Sequence, residues 1–257
     1  MKTIISMVPV LLLLFCSSAG RAAERDYYQL KMYWIGNETQ EARLDRYFED
    51  AYIPALHRAG FGKVGVFKPI EGKNEGKKFI VVFIPFGSLQ EFEELPRLLD
   101  NDKTYQESGS DYIGAAYDHP RYERIESILL RAMSCLPQPG MPVDEGSKSN
   151  RVYELRSYEA ATELLYQRKV EMFNQGEGDL FIRLGFNPLF FGEVLSSSHM
   201  PHVMYMTTFS DEKSQEAHWA AFREHPDWLA MKDLERYQNT VSTITRYLLY
   251  PTDYSDL

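Results

Sequence analysis

The sequence predicts an α+β fold made of two copies of one β-α-β-β-α-β plan, with their antiparallel sheets packed face to face. The first observation behind this is an internal repeat. Tyr28-Gln-Leu-Lys-Met-Tyr33 recurs as Tyr153-Glu-Leu-Arg-Ser-Tyr158, and Gly60-Phe61 recurs as Gly185-Phe186, each 125 residues further on. Later in each copy the spacing becomes 123, which pairs Pro85-Phe86 with Thr208-Phe209, Leu99 with Phe222 and Tyr105 with Trp228. The second observation is that strand-like alternation and helix-like apolar spacing follow one another in the same order in both halves. The third is a stretch rich in Pro, Gly and Ser at 134–150, the composition of a linker.

Tyr27–Trp34 alternates as a strand. Glu41–Ala59 carries Leu44, Tyr47, Phe48, Ala51 and Leu56 at helical spacing, and Gly60 ends that helix because glycine accepts the left-handed turn past a C-terminus. Val64–Pro69 and Phe79–Phe86 read as strands around the turn-rich Glu71–Lys77. Ser88 caps a helix running to about Leu99, with Glu91 completing a capping box. Residues 123–132 form the fourth strand. The second copy has strands near 151–158, 188–195, 202–209 and 241–250, helices near 160–184 and 211–222, Asp211 as a cap, and a short further turn starting at Pro226.

This order gives a ferredoxin-like unit, a four-stranded antiparallel sheet with both helices on one face. The other face is bare, and two equivalent units cover each other. Along the first strands Tyr28, Leu30 and Met32 share a face with one another, as Tyr153 and Leu155 do. These apolar sets are expected under the helices. Gln29, Lys31 and Tyr33, matched by Glu154, Arg156 and Tyr158, are then expected toward solvent or the space between the sheets. The domain reading is a first, diverged repeat at 23–133, the linker at 134–150, and a second repeat at 151–257.

The start of the chain reads as an export signal. Met1-Lys2 is a short basic start, Ile4–Phe15 an apolar core too short to span a bilayer, and Ser18, Gly20 and Ala22 offer small residues for cleavage after Gly20 or Ala22. Residues 1–22 are therefore read as a signal peptide and the mature protein as periplasmic or cell-surface. Lipid anchoring through Cys16 is the weaker alternative, because bulky Phe15 precedes it. Without Cys16, Cys135 is the one cysteine left and no internal disulfide forms. No later apolar stretch is long enough for a transmembrane segment. The net charge of -9 contains no basic run, which disfavours nucleic-acid partners.

The polar strand residues Lys31, Tyr33, Glu154, Arg156 and Tyr158 form the main candidate site. Charge-assisted donors of this kind orient an anionic or phenolic small molecule. The competing reading is internal ion pairing, for instance Glu154 with Arg156 or Lys31. His202 is a candidate base, whereas His199-Met-Pro-His202 lacks the acidic or cysteine partners of a metal site. His218 and His225 flank Trp219 and Phe222 and read more simply as packing and a helix start. The chain carries no Gly-rich phosphate loop, G-x-S-x-G, H-E-x-x-H or C-x-x-C pattern.

Val152-Tyr-Glu-Leu-Arg-Ser-Tyr158, Leu184-Gly-Phe-Asn-Pro188 and Trp219-Ala-Ala-Phe-Arg-Glu-His-Pro-Asp-Trp228 resemble the NIPSNAP family, clearest over 151–250. The resemblance implies the dimeric α/β-barrel superfamily, whose wider members include haem-binding enzymes and cofactor-free monooxygenases. It implies no set chemistry, since NIPSNAP proteins share no settled activity. The expectation for this chain is a small-molecule ligand in an inter-sheet cavity, with no cofactor, and a cofactor-independent oxygenase or isomerase if it is an enzyme. A non-catalytic assembly module, homo-oligomeric through its outer surfaces, is the alternative, and haem binding a weaker one.

Overall fold

The computed structural model describes residues 24–142 and 147–257. The expected signal peptide, including Cys16, and part of the expected linker lie outside the described residues. The first copy runs β1 (Tyr27–Trp34), α1 (Glu38–Tyr47), a π-helical turn (Phe48–Tyr52), α2 (Ile53–Arg58), β2 (Gly65–Pro69), β3 (Phe79–Phe86), α3 (Leu89–Asn101), α4 (Lys103–Ser108), α5 (Ser110–Ile113) and β4 (Arg124–Ala132). The second runs β5 (Val152–Glu159), α6 (Glu163–Met172), a π turn (Phe173–Glu177), α7 (Gly178–Arg183), β6 (Pro188–Ser196), β7 (His202–Phe209), α8 (Glu212–Glu224), α9 (Pro226–Lys232) and β8 (Thr243–Pro251).

Local chemistry repeats with the elements. Asn37 caps α1 by accepting from the Gln40 amide, and Thr162, its counterpart, caps α6 from Leu165. Ser88 and Asp211 do the same for α3 and α8. Glu91 reaches back to the amide of Gly87, one residue before the cap. Gly60 and Gly185 both sit at positive φ, and Phe61 and Phe186 donate back to the carbonyls of Leu56 and Phe181. That six-to-one bond closes each helix as a Schellman motif, a turn that glycine enters without a Cβ clash.

The strands form a closed antiparallel barrel in the order β1-β3-β2-β8-β5-β7-β6-β4. Each copy supplies four adjacent strands, and the seams are β2 against β8 and β4 against β6. The lumen is filled by one apolar cluster drawn from all eight strands, including Tyr28, Leu30, Phe67, Phe83, Ile128, Tyr153, Leu155, Phe190, Met206 and Leu249. Phe83 and Phe190 stack across it with centroids 5.4 Å apart. Two further clusters lie between the barrel's outer surface and the helices, one per copy.

This exchanges the two faces expected of β1 and β5. The apolar sets Tyr28/Leu30/Met32 and Tyr153/Leu155 point into the lumen, not under the helices. Lys31, Tyr33, Glu154, Arg156 and Tyr158 belong to the helix-covered outer face, so the expected binding space between the sheets is occupied by core. The reason is closure: once hydrogen bonds join the two sheets at both edges, the lumen is the driest place in the molecule and takes the most apolar set. Among the described residues no helix is long and apolar enough to cross a membrane.

Candidate functional site

In the first copy the outer face of β1 and the helices over it enclose a cavity of about 410 Å³. Gln29 and Lys31 of β1 form its floor. Tyr47 precedes the π turn and Tyr52 ends it, Phe92, Glu93, Leu95, Pro96, Leu99 and Asp100 come from α3, and Tyr105 and Tyr112 from α4 and α5. The Lys31 ammonium lies 5.2 Å from the Tyr33 ring centroid and 5.3 Å from that of Tyr52, at cation–π range. Among the described residues no carboxylate is within ion-pair distance of it. Tyr47 stacks on Tyr112 with centroids 3.8 Å apart and hydrogen-bonds the Tyr105 hydroxyl at 2.8 Å. Burial pushes the phenols of Tyr47, Tyr52, Tyr105 and Tyr112 above their ordinary range, and the charge of Lys31 opposes this at Tyr52 and Tyr105. The tyrosine part of the wall is therefore neutral hydroxyls around a half-buried cation, while the carboxylates of Glu93 and Asp100 also line the space without forming an ion pair with Lys31.

The π turn is a local cause of this shape. One extra residue per turn widens the helix at Phe48–Tyr52 and brings Tyr47 and Tyr52 into stacking contact, 5.5 Å apart. Such turns recur at functional positions. The second copy has its π turn at the corresponding place, Phe173–Glu177.

There, however, the same space is filled. Glu154 is fully buried; its Oε1 accepts from Arg156 Nε at 2.7 Å and Nη2 at 2.6 Å, and its Oε2 accepts from Gln215 at 2.8 Å and Trp219 Nε1 at 2.5 Å. The Arg156 guanidinium stacks 3.9 Å over the Trp219 ring and donates to the Tyr158 hydroxyl, which bonds that of Tyr205 at 2.6 Å. The ion-pair reading of this set thus describes the second copy. Of the six residues singled out in the sequence, Glu154, Arg156 and Tyr158 meet in one network, and Lys31 lies at the first-copy cavity with Tyr33 packed in the core beside it.

His202 stands apart from both, buried at one end of the barrel. Its Nδ1 pairs with Ser157 Oγ and its Nε2 with Ser197 Oγ, each at 2.7 Å. Burial, reinforced by the nearby His199, lowers its pKa to about 4. The folded state therefore refuses a proton that the unfolded chain accepts below about 6.5. Stability from this group is present above that value and is lost as pH falls toward 4, by about 3 kcal/mol in all. Replacing His202 with Asn should flatten the difference in unfolding free energy between pH 7 and pH 4 by that order. An unchanged slope in urea titrations would show that the imidazole is not the group responsible.

His218 bonds the Ser214 carbonyl and packs against Phe186 and Phe209, while His225 caps α9. Among the described residues no three His, Cys, Asp or Glu side chains are grouped to hold a metal ion. Sequence reading missed Tyr47, Tyr52, Tyr105, Tyr112 and Pro96. The available signal was that Pro96 stands, at the 123 spacing, where the second copy has Trp219.

The comparisons with known proteins agree with this architecture. The NIPSNAP family model matches residues 153–256. No curated protein matches in sequence. In structure the chain is similar to a candidate monooxygenase from Fusobacterium nucleatum subsp. nucleatum ATCC 25586, with a TM-score of 0.58 at 9% identity over 89% of this chain and 93% of that one. A candidate monooxygenase from Lactobacillus acidophilus NCFM gives 0.57 at 8% identity over 89% and 94%. An anthrone oxidase-like protein gives 0.51 at 11% over 90% and 93%. At these identities the likeness is one of fold, and it spans both copies. Residues 153–256, the second copy, thus match the NIPSNAP family model, and they close a barrel with the first copy of the same plan.

Proposed function

We propose that this chain binds a small organic molecule in the first-copy cavity, with Lys31 as the charge that anchors it. The observation that carries this reading is a half-buried ammonium, with no carboxylate in ion-pair contact among the described residues, on the floor of a 410 Å³ space walled largely by tyrosines. A buried or half-buried cation is ordinarily paired, and an unpaired one facing a cavity favours an anionic or phenolic occupant. The filled lumen removes the pocket between the sheets that the alternation of the strands predicts there. A packed lumen is also what a purely structural assembly module would have, but such a module has no use for the Lys31 cavity.

The finer reading is oxygenation of a phenolic ligand without a bound cofactor. It is favoured by the full-length likeness in fold to the two candidate monooxygenases. Nothing favours isomerisation or haem binding over it. The export pattern of Met1–Ala22, which lies outside the described residues, supports a place beyond the cytoplasmic membrane.

The test is a binding titration with 4-hydroxybenzoate on wild type and on Lys31→Met. A charge-assisted hydrogen bond contributes about 1.5–3 kcal/mol, so the variant should bind about 10- to 100-fold more weakly. Equal affinity in the two proteins would refute Lys31 as the anchor. Oxygen uptake in the presence of a bound phenol tests the finer reading, and a flat trace over a panel of phenols removes it.

A further inference from the structure

The two copies differ at this site in a regular way. Gln29 corresponds to Glu154, Lys31 to Arg156, Tyr33 to Tyr158, and Pro96 to Trp219. The last correspondence is secure in space, because α3 and α8 have the same length, and their caps Ser88 and Asp211 are themselves 123 residues apart. In the second copy the cation is covered by an indole ring and neutralised by a carboxylate, both supplied by the chain. In the first copy both are missing: proline stands where the indole would be, a neutral amide stands where the carboxylate would be, and the cavity remains. The Gln29 amide, on the cavity floor, donates from Nε2 to Ser127 Oγ at 2.8 Å.

Taking the proposed function as given, we infer that Trp219 and Glu154 are a built-in copy of the first site's ligand, which is therefore a flat aromatic ring bearing a carboxylate. The ring takes the place over Lys31 that the Trp219 indole takes over Arg156, within the tyrosine-lined space. The carboxylate takes the role of Glu154 toward the cation. Each part is demanded by a separate loss: the ring by the space that Pro96 leaves, the anion by a charge that Gln29 does not balance. An aliphatic acid would satisfy the charge and leave the aromatic walls without a partner. A neutral ring would fill the space and leave the ammonium unpaired.

The probe set separates these features. Indole-3-acetate carries ring and carboxylate, indole the ring alone, and cyclohexylacetate the carboxylate on a non-aromatic body of similar bulk. By calorimetric titration, indole-3-acetate should bind one site per chain at least about tenfold more tightly than either partial probe. The triple variant Gln29→Glu, Lys31→Arg, Pro96→Trp writes the second copy's residues into the first. It should keep its fold by circular dichroism and lose binding of indole-3-acetate, because the chain now occupies its own cavity. If cyclohexylacetate binds as tightly as indole-3-acetate and Lys31→Met weakens both, the aromatic assignment falls while the cavity reading stands. If none of the three binds wild type at millimolar concentration, both fall. A folded triple variant that still binds indole-3-acetate overturns the correspondence between the two sites.

Discussion

Arg156→Ala should lower the unfolding free energy by about 3–5 kcal/mol, the cost of removing one partner from a buried ion pair. Glu154 is 0% exposed, and both its oxygens are engaged, one with Arg156 and the other with Gln215 and Trp219. Removing the guanidinium leaves the carboxylate desolvated with two neutral donors, and it also strips the stacked face from Trp219. For a chain of this length each kcal/mol moves the melting temperature by roughly 2–4 °C, so the shift should be readily seen. The informative partner is Arg156→Met with Glu154→Gln, which removes both charges and places in the second copy the neutral side chain that Gln29 supplies in the first. That pair should recover most of the loss, because an absent ion pair costs far less than a broken one. Urea unfolding of the three proteins measures this. A loss below about 1 kcal/mol for Arg156→Ala would mean that Glu154 finds water or another cation, and the network would no longer count as structural. The result would also separate Arg156 from Lys31, its counterpart: one holds the fold and the other, by the reading above, holds a ligand.

That division of labour shows where sequence reasoning succeeded and where it stopped. The 125- and 123-residue spacings located both copies, and the elements α3 and α8 obey the second spacing at both ends. Alternation along β1 and β5 correctly sorted residues into two faces, but a period of two does not say which face looks where. In an open sheet the helix-covered face is the drier, and Leu30 and Leu155 belong there. In the closed barrel the lumen is drier still, and the polar residues move under the helices, where Gln215 and Trp219 can satisfy Glu154. The cavity itself was hidden because its lining comes from β1, α1 with its π turn, α3, α4 and α5. Tyr47 and Tyr52 also meet through a π turn, a local widening that the ordinary helical spacing of Leu44, Phe48 and Ala51 does not announce. What remained legible was a substitution between repeats: a tryptophan of the family-like copy replaced by proline in the diverged one.

The Lys169–Glu177 pair extends the same contrast and sets a second large effect. Lys169 Nζ lies 2.9 and 2.7 Å from the two oxygens of Glu177, and the side chains are 4% and 2% exposed. The ammonium also lies 5.0 Å from the Phe173 ring and 5.3 Å from that of Tyr158. In the first copy the corresponding residues are Leu44 and Tyr52, which carry no charge and serve the core and the cavity. Lys169→Leu should cost about 3–5 kcal/mol near neutral pH, since it strands Glu177 in a dry site. Burial already pushes the Glu177 carboxyl up, and Lys169 is what opposes this. Without the lysine the carboxyl should be protonated in the folded state and ionised in the unfolded one over a wide range above its ordinary pKa. Folding then takes up a proton there, so the variant's stability falls as pH rises, and its deficit relative to wild type should be smaller at pH 5 than at pH 8. Adding Glu177→Met removes the stranded charge with a side chain of similar size, and should restore stability to within about 1 kcal/mol of wild type and erase the pH dependence. A double variant as unstable as the single would assign the loss to packing around Phe173, not to the stranded carboxylate. Tyr158 connects this pair to Arg156, through its ring on one side and its hydroxyl on the other. Lys169→Leu and Arg156→Ala should accordingly combine non-additively, by about 0.5–3 kcal/mol, as residues sharing one partner do.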